Sequence, residues 1–500
     1  MKRLFLFVML LALIFTAVQC GGAAPAPVQE KAKEAAADVK EAAEGAADQA
    51  KEAVDQAQET VKEAAADAQQ AAEETAADVK EAVEEAVATE EPAATEEPAA
   101  EAAMTGEETV VTIGYTASKT GAQEVPSRGQ THGLELWLEQ VNQDGVTLAD
   151  GTVVKFQAVT YDDESAKERV QSLYTTLVEQ DGANFLISPY SSGLTDAAAV
   201  IAETYSKIMI TTGAASDETY QKGLTLVYQL YTPASRYLTG AIDLLGSLNP
   251  DAKKIAFVYE NAKFSTDVVD AAQKYAESKG YEVVLSEGYD SETTDFAPFI
   301  NKIAAAEPDA VMGGGHFNDG STFARQLHEK QTSVEFLALL VAPPELDFAE
   351  LGDAALGVVG PSQWEPQANY TPEAAEAAGV EWYGPTVADF VSAYEAKFGE
   401  EPAYHAAGGY ASGLVLQQAI ETAGSTEPAA VQAALDGMNL MTFYGTVKFN
   451  TTPESHGLQE AHEMVYVQWQ KDDGGNLVKQ VVWPVEGQSA EPIYPLAQVP

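Results

Sequence analysis

The sequence predicts an α/β protein, with parallel sheets that carry helices on both faces, preceded by a helical stalk rich in Ala and Glu. Three observations lead to that reading. From Thr109 onward short apolar runs alternate with helical patterns, the order that βαβ units impose. Two Gly- and hydroxyl-rich turns, at 188–195 and 211–216, each follow an apolar run and lead into a helical stretch. Residues 22–105, by contrast, hold no aromatic residue and repeat Lys-Glu-Ala at 33, 40, 51, 62 and 80.

The chain begins with Lys2, Arg3 and a mostly apolar run at 4–18. That is the pattern of a signal peptide, shorter than the roughly 20 residues a membrane helix needs. Cys20 is the only cysteine, so neither an intramolecular disulfide nor a Cys-based metal site is expected. Ala17-Val18-Gln19-Cys20-Gly21-Gly22 resembles a bacterial lipoprotein processing site, although Gln19 stands where a small residue is usual. Lipidation of Cys20 would anchor the chain to a membrane. Ordinary cleavage near Ala24-Pro25-Ala26 would release it instead.

The Lys-Glu-Ala spacings of 7, 11, 11 and 18 are close to whole helical turns, so the lysines share one face. Ala, Glu, Lys and Gln favour helix, and 30–88 would span roughly 90 Å at the α-helical rise. The valines there are too sparse for a coiled coil, so a lone helix is expected. A doubled Thr-Glu-Glu-Pro-Ala-Ala at 89–100 follows as an extended, self-repelling linker. The chain thus divides into a leader (1–20), stalk and linker (21–105), globular domain (106–485) and tail (486–500).

Within the domain, strands are expected at 110–116, 153–160, 184–187, 207–211, 254–259, 281–285, 310–313 and 334–340. Helices are expected between them at 133–142, 165–179, 234–248, 265–279, 296–306 and 321–329. Two parallel sheets fit that count. Further on come helices at 385–398, 405–424 and 427–436, then strands at 446–449, 464–470 and 478–482. Residues 370–384, rich in Ala, Glu and Pro, read as a surface excursion.

A formal charge of −49 argues against a nucleic-acid partner, whose phosphates it would repel. Six histidines with no His-Glu-x-x-His and no close pair speak against a metal site. No Gly-x-Ser-x-Gly elbow surrounds Ser191 and Ser192, so no hydrolase setting exists for them and no catalytic residue or cofactor is expected. The paired turns offer something else: backbone N–H groups and hydroxyls at helix N-termini, at the carboxyl ends of strands. An anionic ligand group is favoured there.

Several short motifs follow one another along the chain: Ile113-Gly114 with Ser118-Lys119-Thr120-Gly121, Tyr161-Asp162-Asp163, Ser188-Pro189-Tyr190-Ser191-Ser192-Gly193 and Tyr231-Thr232-Pro233-Ala234-Ser235. Thr293-Thr294-Asp295-Phe296, Glu307-Pro308-Asp309-Ala310-Val311 and Phe398-Gly399-Glu400-Glu401-Pro402 continue the series. From about Val110 to Trp483 the chain resembles the solute-binding proteins of ABC importers for branched-chain amino acids and related ligands, the type I periplasmic binding fold. The resemblance implies two α/β lobes joined by three crossings. Lobe one would take 109–230 and 364–448, lobe two 231–363 and 449–485, with crossings near 231–233, 360–364 and 449–452. It also implies an extracytoplasmic protein that binds a small carboxylate-bearing solute, closes over it, and hands it to membrane permease subunits without catalysis.

By the same resemblance, Ser191 and Ser192 fall in the turn that grips a ligand carboxylate, and Ala214 and Ser216 at positions that add backbone and hydroxyl contacts. Phe264 falls where a cleft-lining Tyr is common, and His316 or Phe317 where another aromatic lies. Tyr115 and the stretch from Ser118 to Thr120 would line the mouth, and Trp364, at the second crossing, would be either a cleft-wall aromatic or a core or hinge packing residue. Amino-acid-binding members place an acid against the ligand ammonium, a position that falls here at Leu339-Leu340-Val341. Either Glu260 or Glu365 supplies that charge from a neighbouring strand end, or the ligand lacks an amine. A ligand-sensing receptor subunit with the same fold, and a structural surface protein, are the other readings.

Overall fold

The computed structural model describes residues 107–496 apart from Asn369, so the expected leader, Cys20 and the stalk lie outside the described residues. Two sheets organise the domain. The first comprises β1 (Glu108–Ala117), β2 (Val146–Thr147), β3 (Val153–Asp162), β4 (Phe185–Ile187), β5 (Met209–Thr211) and β6 (Val227–Gln229). Their spatial order is β2-β3-β1-β4-β5-β6, parallel throughout except for β2 against β3. The short strands β4, β5 and β6 are buried at every position, which is why they read as plain apolar runs without alternation.

The second sheet is built on β7 (Lys254–Glu260), β8 (Glu282–Tyr289), β9 (Ala310–Gly314), β10 (Phe336–Leu339) and β11 (Val359–Ser362). Next in the chain, β12 (Glu381–Trp382), β13 (Asn439–Thr442) and β14 (Gly445–Lys448) make a small sheet of their own. Finally β15 (Val465–Lys471) and β16 (Leu477–Trp483) add antiparallel to the second sheet, whose order is β16-β15-β11-β10-β9-β7-β8. Alternating βα units therefore form two mostly parallel sheets, as expected. Strand β11 had no sequence signal, because Gly360 and Pro361 stand in it and both depress strand propensity. The stretch 370–384, expected as a surface excursion, is mostly exposed or half-buried and carries the helix Pro372–Ala378 and β12.

Helices cover both faces. In the first lobe, α1 (Glu124–Asp144), α2 (Lys167–Glu179) and α3 (Ser192–Thr204) follow β1, β3 and β4. The helix Tyr404–Ala423 returns from far along the chain and packs lengthwise on α1. Their backbones nearly touch: a Cβ on Gly133 would lie 1.9 Å from the Ala406 carbonyl oxygen, and one on Gly409 2.0 Å from that of Gln130. Trp137 Nε1 donates to Gln417 Oε1 at 3.1 Å and the Tyr410 hydroxyl to Gln140 at 2.6 Å across the same seam.

The chain passes between the sheets at three places, and one side chain links them. Gln363, just after β11, accepts from the Thr232 N–H at 2.8 Å and donates to the Tyr237 hydroxyl at 2.7 Å. Its carbonyl pairs with His462 Nε2 at 3.0 Å, while the Thr232 hydroxyl donates to the His462 carbonyl at 3.1 Å. The third crossing thus lies at His462, just before β15, and not near 449–452. The reason is β6, an edge strand that needs a partner: its Gln229 N–H donates to the Gly457 carbonyl at 2.8 Å, and Gln459 N–H donates to the Gln229 side chain at 3.3 Å. That pairing keeps 449–461 against the first sheet.

Gly133→Ala tests the helix seam. Its methyl must displace the Ala406 carbonyl, an overpacking cost of about 1–3 kcal/mol that outweighs the roughly 0.5–1 kcal/mol gained by Ala in a helix. Calorimetry should show a transition lowered by about 2 °C or more.

Candidate functional site

The two turns singled out in the sequence fold into one unit. The Ser188 hydroxyl accepts from the Thr212 N–H at 3.3 Å, and the Ser192 hydroxyl accepts from the N–H groups of Ala215 and Ser216 at 3.0 and 3.2 Å. Gln130 of α1 steadies the pair by donating to the Ser188 carbonyl at 2.8 Å. Only glycine suits position 213, where a Cβ would meet the Gln130 oxygen at 2.6 Å and the Tyr190 ring at 2.8 Å. Ser191 precedes α3 and its hydroxyl does not cap that helix.

Between the sheets lies a narrow cavity. Ser191, Ser192, Gly213 and Ala215 form its floor from lobe one. Aromatic rings make most of the walls: Tyr190 and Tyr404 from lobe one, Tyr231 and Tyr237 at and just after the first crossing, Phe264 from the helix Lys263–Ser278. Tyr237 and Phe264 meet edge to face at 5.0 Å, and Tyr231 and Tyr404 lie tilted to each other at 5.8 Å. His316 and Val341 close it from lobe two.

His316 stands just after β9 and caps the helix Phe317–Glu329. Its Nδ1 pairs with Glu260 Oε2 at 2.6 Å, and its backbone N–H donates to Asp319 at 2.8 Å. Asp319 in turn accepts from the Tyr289 hydroxyl. Burial works against a charged imidazole, but the Glu260 carboxylate, with Asp319 behind it, outweighs that and raises the pKa of His316. The same pairing holds Glu260 below its usual value against its own burial penalty, whereas burial and the Glu260 charge raise Asp319. The donor atoms of Glu260, His316 and Asp319 lie within 4.8 Å of one another, the spacing a metal ion would use. Each is already engaged with another member or with Tyr289, so the cluster is a completed ion-pair network. Nε2 of His316 is buried and has no hydrogen-bond partner among the described residues.

The lobes are in contact around the cavity. The Ser216 hydroxyl donates to Asp267 of the opposite lobe, and buried His405 Nδ1 pairs with Glu345. Lys263 reaches Glu218 at 2.6 Å, and Asn318 donates to the Ala122 carbonyl at 3.2 Å.

Comparison with known proteins settles the family. The model of the periplasmic binding protein family matches residues 110–476. The chain belongs to that family. Leu/Ile/Val-binding protein homolog 8 of Brucella melitensis is 23% identical over 359 residues, 70% of this chain and 86% of that protein. Among solved structures, LivJ of Streptococcus pneumoniae, a branched-chain amino acid transporter substrate-binding protein in complex with isoleucine, superposes with a TM-score of 0.60. It is 19% identical, covering 74% of this chain and all of LivJ (100%). An ABC-transporter solute-binding protein from R. palustris in complex with benzoate gives 0.62 at 19% identity, covering 77% and 98%. The two-lobe α/β fold of this periplasmic binding protein is thus shared with solute-binding proteins of ABC transporters. Among the described residues no helix is long and apolar enough to cross a membrane.

Of the residues expected at the site, Ser191, Ser192, Phe264 and His316 line the cavity. The others do not. Tyr115 points into the lobe-one core, where burial first and Glu135 second push its hydroxyl up to about 12. Ser118 donates to Asp163 at 2.6 Å, and Thr120 reaches Asp162 at 3.3 Å on the surface; both brace the loop after β1. Ala214 and Ser216 are wholly buried, one residue out of step with the lining residues Gly213 and Ala215. Phe317 packs on the lobe-two core, and Trp364 is buried against Phe390 and Phe443, its Nε1 donating to the Phe443 carbonyl at 2.9 Å.

Neither proposed substitute acid faces the cavity as a free carboxylate. Glu260 is paired with His316, and buried Glu365 with Lys479 at 3.0 Å. Sequence reasoning missed Tyr190, Tyr231, Tyr237 and Tyr404. The first two stand inside the quoted motifs, so their signal was present; Tyr404 comes from a helix more than 170 residues beyond the first crossing.

Ser192→Ala would leave the buried Ala215 and Ser216 N–H groups without their acceptor, at a cost of about 1–3 kcal/mol. Ser191→Ala should stay within about 0.5 kcal/mol of the parent. Urea denaturation of the two variants measures the contrast.

Proposed function

We propose that the chain is the extracytoplasmic solute-binding subunit of an ABC importer, that it captures a small carboxylate lacking an amine, and that it delivers it to a permease without catalysis. The observation that carries this reading is the charge arrangement of the cavity. On one side the N-terminus of α3 favours an anion. On the other side Val341 is apolar and Glu260 is neutralised by His316. A buried ammonium would find no counter-charge there and would lose several kcal/mol. The aromatic walls suit a flat or apolar body, as in the benzoate-bound R. palustris protein, better than the zwitterion head of the isoleucine bound to LivJ.

A ligand that touches both lobes favours their closed arrangement by its differential affinity for it. Cys20, lipidated, would hold the domain at the membrane and the stalk would give it reach. Thermal unfolding of the mature chain with benzoate and with leucine tests the ligand class. A bound ligand at a thousand times its Kd adds about 4 kcal/mol. Benzoate should raise the transition by several degrees and leucine should leave it unchanged; the reverse result overturns the reading.

A further inference from the structure

The cavity contains one polar group whose role the carboxylate site does not explain. His316 is only 5% exposed, lines the cavity, and is fixed by two lobe-two contacts, Nδ1 to Glu260 and backbone N–H to Asp319. Position 315 must be glycine for this, since a Cβ there would lie 2.3 Å from Glu260 Oε2. With Nδ1 committed, Nε2 is left buried and unpartnered among the described residues. Such a group is costly to leave unsatisfied and discriminates strongly between ligands that do and do not meet it.

We propose that His316 Nε2 is the lobe-two anchor of the solute, so that the preferred ligand carries a second oxygen acceptor remote from its carboxylate. This rests on the carboxylate reading above and narrows it. Lobe one would hold one end of the ligand through the turn before α3, the rings of Tyr190 and Phe264 would flank its body, and His316 would meet the far oxygen. Both rings already face His316, at 5.9 and 5.8 Å between centroids. Anchoring from opposite lobes also makes the ligand itself the bridge that favours closure.

The charge of the anchor depends on its surroundings. From β7 Glu260 faces it, from its own helix Asp319, from β8 Tyr289 through Asp319, and from lobe one Tyr190 with His405 and Glu345 beyond. The two nearest carboxylates favour the imidazolium. Below its raised pKa the group is a cationic donor and suits a second carboxylate. As pH rises through that pKa Nε2 becomes an acceptor, which suits a hydroxyl but not an anion.

Calorimetric titration of the mature chain with benzoate, 4-hydroxybenzoate and terephthalate tests this. We expect the two probes with a second oxygen to bind at least about tenfold more tightly than benzoate, and the terephthalate to 4-hydroxybenzoate affinity ratio to fall as pH rises. His316→Phe alone would strand a buried Glu260 charge, so it is combined with Glu260→Leu, which removes both partners. That double variant should lose the preference, its affinities for the three probes falling within about threefold of one another; Glu260→Gln should lose the pH dependence first. Equal affinity for all three probes, or a preference that survives in the double variant, overturns the anchor while the carboxylate reading stands. Binding of none of the three overturns both.

Discussion

Everything at the cavity depends on the Gln363 knot. One amide side chain joins the first and second crossings, and its backbone carbonyl joins the second to the third through His462. Buried hydrogen bonds of this kind are stiff and specific, because any displacement leaves further groups unpaired in a low dielectric. His462 is pushed down to about 3 by its burial, so it remains neutral and the knot keeps one hydrogen-bond pattern over the usual pH range. Tyr231 and Tyr237 extend from this knot into the cavity wall. The hinge therefore sets the relation of the two lobes and the shape of the binding space at once.

The carboxylate end shows how a fold divides polar labour. Two turns that each look ready for a ligand use much of their hydroxyl capacity on each other: Ser188 and Ser192 accept from the second turn, and Ser216 reaches across to Asp267. What remains for an anion is backbone. The backbone at the start of α3 is held in place by that pairing, since the serines that join the two turns are themselves buried and bonded. The contacts between lobes differ in weight. The partly exposed Lys263–Glu218 pair contributes little, whereas His405–Glu345, in the interior beside Tyr190, matters more because either partner alone would be a stranded polar group.

Much of the architecture was legible in the chain because it is written in local periodicity. Alternating apolar runs and helical patterns placed most strands of both parallel sheets, and the order of the motifs pointed to two lobes. A strand that broke the local rule was missed: β11 carries Gly360 and Pro361. Of the candidates that the resemblance pointed to, Ser191, Ser192, Phe264 and His316 line the cavity. Tyr115, Ser118 and Thr120 were misplaced because a strand's end reveals proximity to a cleft but not the direction of each side chain.

By itself the sequence determined the alternation that makes an α/β fold, the hydroxyl- and Gly-rich turns after β4 and β5, and the lack of an acid at Leu339-Leu340-Val341. Each is a property of neighbouring residues, and backbone geometry converts it directly into structure. Tertiary packing alone decided that Glu260 pairs with a histidine 56 residues away, that Glu365 pairs with Lys479, and that the third crossing waits until His462. Those outcomes follow from which buried charge or unpaired strand edge lies nearest in space, and a buried group must be satisfied by whatever the fold brings beside it.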